Sequence, residues 1–107
     1  MPRFYITTAI DYVNGPPHLG HAYEKVLADA LARFHRQRED KTFFLTGTDE
    51  HGQKIAHAAA AAGKEPRAFV DEIAKRFVAT WKALNISNDK FVRTSDPRHA
   101  LAVQELF

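Results

Sequence analysis

Residues 14–34 read NGPPHLGHAYEKVLADALARF, and this stretch decides which fold suits the rest of the sequence. Two prolines lead into His18-Leu19-Gly20-His21, and apolar residues then recur at helical spacing. The apolar positions are Tyr23, Val26, Leu27, Ala30, Leu31 and Phe34, and the opposite positions are Glu24, Lys25, Asp29, Arg33 and Arg36. We expect an amphipathic helix that buries the apolar stripe. Histidine is a mediocre helix former and no usual capping residue, so two on the first turn predict a bound ligand.

Strands and helices alternate around this helix. Strands are predicted over 4–10, 41–46 and 91–94, which are rich in β-branched and aromatic residues. Further helices are predicted over 53–62 with Gly63 as a left-handed cap, from Pro66, and from Pro97 with Asp96 as cap. This order predicts an α/β fold, a parallel sheet flanked by helices. Three strands are too few for a complete doubly wound domain, so we expect the truncated first half of a Rossmann-like domain.

The composition limits the class of protein. The 107 residues contain no cysteine, which excludes a disulfide scaffold and a thiolate zinc site within this segment. A formal net charge of +2 permits contact with phosphates without requiring it. Neither a signal peptide nor an apolar run of about 20 residues is present, so we expect a soluble cytoplasmic protein. The helical pattern stops at ELF without a terminating glycine or proline, which predicts a longer natural chain.

The two most unusual loops are predicted to meet at one edge of the sheet. The first strand runs into Ile10-Asp11-Tyr12 and the histidine loop, and the second runs into 47–52, GTDEHG. Ligands of such sheets bind beyond the carboxyl ends of the strands. A helix amino-terminus attracts phosphate, Gly20 keeps the first turn bare, and His18 and His21 share one face. Ordinary polar residues at a helix start, or a zinc pair completed by Asp49 and His51, are the alternatives.

Asp49 suggests a second ligand group. A carboxylate at the carboxyl end of a strand is well placed to hold a cation such as the ammonium of an amino acid. A loop-capping aspartate before a helix is the competing interpretation.

These stretches together resemble a known family. Residues 6–36 and 43–55 (FFLTGTDEHGQKI) are similar to the amino-terminal catalytic part of the methionyl-tRNA synthetases, and 65–96 fit as well. HLGH matches the H-I-G-H signature of class I aminoacyl-tRNA synthetases, while YVNG at 12–15 and TGTDEHG at 46–52 narrow the match to the methionine enzymes. H-x-G-H alone also occurs in nucleotidylyltransferases, but its combination with GTDEHG at this spacing is specific.

The resemblance implies a methionine–tRNA ligase, which adenylates methionine with ATP and Mg²⁺ and transfers it to initiator and elongator methionine tRNA. His18 and His21 would be catalytic, binding the triphosphate and stabilising the α-phosphate. Gly20 and Glu24 would complete the ATP site. Methionine would be held by Asp49 and the Ile10 carbonyl at its ammonium, by the Ile10 N–H at its sulfur, and by Tyr12 closing over it.

The sequence departs from the family pattern in two places. The family usually reads TPIYYVN where residues 8–14 read TAIDYVN. Ala9 replaces a stiffening proline, and Asp11 replaces an apolar or aromatic residue. We expect effects on loop rigidity or methionine affinity, and a negative charge near the ATP entrance.

The resemblance also implies what residues 1–107 lack. They would form the amino-terminal half of the nucleotide-binding catalytic domain. The zinc-bearing connective insertion, the second sheet half with its K-M-S-K-S loop, and the anticodon-binding helices would follow, so no metal is expected in this segment.

Other functions remain open from the sequence. A nucleotidylyltransferase acting on a small acceptor, or a non-catalytic ATP-binding synthetase fragment, would use the same histidines. For the isolated segment we expect little activity. We also expect self-association, because a sheet edge is left open and the apolar faces of Phe69, Phe77 and Trp81 lose partners.

Overall fold

The computed structural model describes residues 1–107 as one parallel sheet with four helices. The elements in chain order are β1 (Arg3–Thr7), β2 (Asp11–Tyr12), α1 (Leu19–Gln37), β3 (Lys41–Asp49), α2 (Gln53–Ala61), α3 (Pro66–Ala83), β4 (Lys90–Arg93) and α4 (Pro97–Leu106). Strand β3 is central, and it pairs in parallel with β1, β2 and β4. The predicted α/β fold with a parallel sheet flanked by helices is confirmed.

The single strand predicted over 4–10 is divided in two. Thr7 pairs with Leu45 and Asp11 pairs with Thr48, so three residues of the first strand lie opposite two residues of β3. One extra residue in a strand makes a bulge, which redirects the chain and its side chains. The bulge leaves Ile10 half-exposed just before β2 and makes Tyr12 a strand residue rather than a loop residue.

The polar loop predicted over 47–52 is also partly wrong, because β3 continues to Asp49. Pairing with β4 extends the strand, and Gly47 lies opposite Val92. A Cβ atom on Gly47 would lie 2.1 Å from the Val92 carbonyl oxygen, so this strand position requires glycine. Long-range pairing of this kind is invisible in the local pattern.

Local signals at the helix ends are confirmed. Pro66 and Pro97 begin α3 and α4, and the Asp96 side chain accepts a hydrogen bond from the Arg98 N–H. Gly63 follows α2 with a φ of +68°, the left-handed conformation expected of it. No helix of the fold combines the length and apolar character that crossing a bilayer requires.

The main core lies between α3, α2 and the segment after β2. Phe69, Phe77 and Trp81 are buried there against Val13 and Ile55. The expectation that these aromatic residues lack partners is therefore wrong. Their face of α3 is covered by α2 and by the chain around Val13, which lie within the same 107 residues.

The expected orientation of α1 is wrong as well. Its buried residues are Lys25, Ala28, Asp29 and Ala32, whereas the apolar stripe is exposed, with Tyr23 at 73% and Leu27 at 54%. Ala28 and Ala32 are small enough to let the helix lie closely over Phe44 of β3. Charged residues can share this face because each has a partner, Lys25 with Asp11 and Asp29 with Ser87.

Candidate active site

His18 and His21 cap the amino-terminus of α1 through reciprocal hydrogen bonds. His18 is the N-cap, and its Nδ1 accepts hydrogen bonds from the N–H groups of Gly20 at 3.1 Å and His21 at 3.4 Å. In return, Nδ1 of His21 accepts from the His18 N–H at 3.2 Å. The arrangement is a capping box built from two histidines, so the view that these histidines have no capping role is wrong.

The capping box fixes which ring nitrogen can act on a ligand. A ring nitrogen that accepts a hydrogen bond carries no proton, so the neutral imidazoles of His18 and His21 carry theirs on Nε2. The two rings stack with centroids 3.6 Å apart. The first turn therefore presents two parallel imidazoles whose Nε2–H donors are not used in the capping box.

Gly20 leaves room for the His18 ring at this turn, a contact that the sequence did not show. A Cβ atom there would lie 3.1 Å from the His18 ring, closer than most such contacts. Glycine therefore lets the His18 imidazole fold back over the first turn and reach the backbone N–H groups. The capping bonds occupy the N–H groups of Gly20 and His21, so an anion would meet the imidazole N–H groups and the helix dipole.

We expect the pKa of His21 to lie below 6.5, the ordinary value for histidine. Burial lowers the pKa, the charges of His18 and Lys25 lower it further, and Asp11 and Glu24 oppose the shift. Because the unfolded state binds the proton more tightly, His21 favours folding above pH 6.5, and this contribution is lost as the pH falls through its folded pKa.

Titration of the histidine ring signals by NMR measures this pKa directly. Nitrogen-15 shifts should also report the Nε2–H tautomer for His18 and His21 near neutral pH. A midpoint for His21 at or above the unperturbed value, or a proton on Nδ1, would contradict the capping geometry.

Tyr12 and Asp49 lie side by side at the carboxyl edge of the sheet. They are paired residues of β2 and β3, and the Val13 N–H donates to the Asp49 carbonyl at 3.3 Å. Gly52 lies three residues after Asp49 and has a φ of +130°. A Cβ atom on Gly52 would lie 2.0 Å from the Tyr12 hydroxyl oxygen. Glycine at 52 therefore makes room for the Tyr12 side chain beside Asp49.

Glu50, the fourth residue of GTDEHG, is not available to a ligand. Its side chain is fully buried and accepts hydrogen bonds from Arg93 Nε at 2.7 Å, Thr48 Oγ1 at 2.8 Å and Ser95 Oγ at 3.0 Å. Burial alone would raise the pKa of Glu50, but these donors outweigh it and hold the pKa below the usual range. Arg93 also binds Asp71 on α3 at 2.6 Å, so Glu50 joins β3, β4 and α3.

The structure brings the predicted site residues together as two neighbouring groups. His18, Gly20 and His21 form one at the start of α1, and Tyr12 and Asp49 form the other. An ion pair links the elements that carry the two groups: Lys25 Nζ of α1 lies 2.7 Å from Asp11 Oδ2 of β2. Asp11, predicted to add a negative charge near the ATP entrance, is buried and paired with Lys25, and its effect on ATP stays a prediction.

Two further predicted site residues, Glu24 and Ile10, belong to neither of these groups. The carboxylate of Glu24 lies 2.9 Å from Lys25 Nζ and is 42% exposed, so it is bound to Lys25 and still accessible to solvent. Ile10 is the last residue of the bulge and is half-exposed, and its proposed role is through its backbone. No group of three or more histidine, aspartate or glutamate residues is arranged to hold a metal ion.

Sequence reasoning missed Lys25, Gly52 and the Glu50–Arg93 pair. Lys25 was assigned to the solvated face because a lysine on a helix is usually exposed. The unusual Asp11 was the available signal, since a buried carboxylate requires a cation close by. The Gly52 contact depends on Tyr12, 40 positions earlier, and leaves no local pattern.

Comparison with known proteins places these residues in a family. The family of class I tRNA synthetases (M) matches residues 4–107. The methionine–tRNA ligase of Thermotoga maritima is 54% identical over 103 residues, which are 96% of this chain and 16% of that protein. The chloroplastic/mitochondrial methionine–tRNA ligase of Arabidopsis thaliana is 49% identical over 97% of this chain and 17% of its own length.

A solved structure agrees. The Mycobacterium tuberculosis methionyl-tRNA synthetase in complex with methionyl-adenylate superimposes with a TM-score of 0.96 at 51% identity. It covers 99% of this chain, and the chain covers 21% of it. The chain thus spans about a fifth or less of the length of the relatives it matches. From its first strand to its last helix, it belongs to the class I tRNA synthetases (M), whose named relatives here are methionine–tRNA ligases.

Proposed function

We propose that this chain is the amino-terminal half of the catalytic domain of a methionine–tRNA ligase, which adenylates methionine and transfers it to tRNA. The observation that carries the proposal is the two-histidine capping box beside the Tyr12–Asp49 edge. The Mycobacterium tuberculosis synthetase, which superimposes on 99% of this chain, was determined in complex with methionyl-adenylate. Methionyl-adenylate is the intermediate of such a reaction.

The histidine group suits the ATP side of the reaction. A carboxylate oxygen of methionine attacks the α-phosphorus of ATP, the bond to the β-phosphate oxygen breaks, and pyrophosphate leaves. Negative charge grows on the α-phosphate oxygens as this happens. The Nε2–H groups of His18 and His21, fixed by the capping box, would donate hydrogen bonds to those oxygens. The positive end of the α1 dipole adds to this effect.

The Tyr12–Asp49 edge suits the amino acid. The Asp49 carboxylate would bind the ammonium group of methionine, and Tyr12, seated by Gly52, would cover the side chain. The backbone of Ile10, in the bulge between β1 and β2, would supply the carbonyl and N–H groups. Glu24 and Gly20 would border ATP, which enters with its Mg²⁺ as a substrate.

Asp49→Asn should weaken methionine binding, because it removes the charge and keeps the shape. Binding of an analogue without the ammonium group should change little. Calorimetry with both ligands on a full-length synthetase that carries this segment measures the difference. Equal losses for the two ligands would make Asp49 a structural residue.

Methionine-dependent exchange of pyrophosphate into ATP tests the function itself. A full-length synthetase that carries this segment should show exchange that requires methionine. Exchange that proceeds with a different acceptor would favour the nucleotidylyltransferase. ATP binding without any exchange would favour the non-catalytic alternative. The tRNA partner, a cytoplasmic location, the zinc-bearing insertion and the division into half-domains stay proposals of the same kind.

The isolated chain is proposed to self-associate through α1 and the edge of β1. Five apolar residues of α1 are 44–73% exposed: Tyr23, Val26, Leu27, Leu31 and Phe34. Strand β1 pairs only with β3, so its outer backbone groups are open to another strand. An apolar patch of this kind marks an interaction surface.

Light scattering on the 107-residue chain measures this association. We expect a mass above that of the 12.1 kDa monomer, and little pyrophosphate exchange. Replacing Leu27 and Leu31 by glutamate should restore the monomer. A monomeric unsubstituted chain with exchange near that of an intact synthetase would contradict both expectations.

A further inference from the structure

Lys25 and Asp11 form an ion pair inside the protein. The Lys25 side chain is fully buried, and its Nζ lies 2.7 Å from Asp11 Oδ2 and 2.9 Å from Oδ1. The same ammonium lies 2.9 Å from the Glu24 carboxylate and 3.5 Å from the Ala9 carbonyl. It also lies 5.4 Å from the centre of the Trp81 ring, which favours a cation over its face.

Stability alone does not account for this pair. Taking two charges out of water is costly, and well-packed apolar residues of similar size are often as stable or more so. What a buried pair adds is geometry, because its hydrogen bonds hold specific atoms at fixed distances. Here they hold the backbone at Ala9 and the side chain of Asp11 against α1.

The pair lies between the two groups of the candidate site. Asp11 stands between Ile10 and Tyr12, both proposed to contact methionine. Lys25 is one turn beyond His21 on α1. Elsewhere α1 is anchored independently of Lys25: Ala28 and Ala32 pack on Phe44, and Asp29 accepts from the Ser87 N–H at 2.8 Å.

The segment around Asp11 is held mainly at its two ends, by the Thr8 N–H on Leu45 of β3 and by the buried Val13. It contains the bulge, and β2 contributes only two paired residues. Loss of the ion pair should therefore shift the bulge and β2, while α1 and its histidines stay in place.

We propose that the Asp11–Lys25 pair is a positioning element of the methionine site, holding Ile10 and Tyr12 in register with the histidines of α1. The inference rests on the proposed function.

The test uses the double variant Asp11→Leu/Lys25→Met in a full-length synthetase that carries this segment. The variant leaves no buried charge unpaired, since the Glu24 carboxylate is 42% exposed to solvent, so it should fold, but it lacks the hydrogen bonds to residues 9 and 11. The KM for methionine in pyrophosphate exchange should rise roughly 10- to 100-fold, as for other small misplacements in a site. The KM for ATP should stay within about twofold of the unsubstituted enzyme, because α1 keeps its other anchors and holds the histidines in place. A twofold change is well below the tenfold change that about 1.4 kcal/mol produces.

The matched control is Lys64→Met/Glu72→Leu, which removes an exposed ion pair between the loop after α2 and helix α3 with the same kinds of substitution. It should leave both KM values unchanged. Thermal unfolding of each variant shows whether it is folded. Lys25→Met alone leaves Asp11 buried without a cation, and it should show a lower midpoint and the same rise in the KM for methionine.

The outcomes separate the two proposals. Absence of methionine-dependent exchange in the unsubstituted enzyme overturns the proposed function, and the inference with it. Normal exchange together with an unchanged KM for methionine in the folded double variant overturns the inference alone. A lower unfolding midpoint with that unchanged KM would give the pair a purely structural role. Equal rises in the KM for methionine and ATP would also overturn it.

Discussion

His21→Ala is expected to slow methionine adenylation by about 10²–10³-fold, the usual effect of removing one donor that acts on transition-state charge. The Nε2–H of His21 is oriented before any ligand binds, because Nδ1 is held by the His18 N–H. A donor fixed in this way is worth most when charge builds up on the α-phosphate, and less in the ground state. The affinity for ATP should therefore change much less than the rate.

Pre-steady-state adenylation by a full-length synthetase that carries this segment separates the two effects. His57→Ala is the matched control, because His57 is an exposed histidine of α2 that belongs to neither group of the site. Loss of the capping bond should lower stability by roughly 1 kcal/mol, which thermal unfolding can detect separately. A change confined to ATP affinity, with an unaltered rate, would remove His21 from the catalytic role.

Glu50→Ala should lower the free energy of unfolding more than any other single substitution considered for this chain. It removes a fully buried carboxylate and the partner of Arg93, and it leaves Thr48 and Ser95 without an acceptor. Breaking a buried ion pair costs about 3–5 kcal/mol. We expect the low end, about 3 kcal/mol, because Arg93 is partly exposed and keeps its contact with Asp71.

Urea unfolding measures this loss in the chain that carries glutamate at positions 27 and 31, because that form is expected to be monomeric. Glu72→Gln is a suitable control, since Glu72 is an exposed glutamate paired with Lys64, and it should change stability little. The lowered pKa of Glu50 adds a test with pH. Its contribution is complete above 4.5, the ordinary value, and is lost as the pH falls through the lower folded pKa. A stability of Glu50→Ala equal to that of the control would contradict the role.

The sequence predicted the elements whose signals are local. Pro66, Gly63 and Asp96 mark helix ends by their own backbone preferences, and the structure confirms each one. The order of strands and helices was enough for a parallel sheet. The residues of HLGH and GTDEHG were enough for the family, which the match over residues 4–107 confirms.

The tertiary structure alone decided which face of α1 is buried and what the charged residues do there. Helical periodicity shows that two faces differ, but burial depends on what lies opposite, and for Lys25 that is Asp11, 14 positions earlier. The length of β3 and the contacts of Gly47 and Gly52 likewise depend on residues distant in sequence, Val92 and Tyr12. Propensity acts over a few neighbouring residues, whereas pairing, close approach and charge compensation act across space, so they emerge only when the chain is folded.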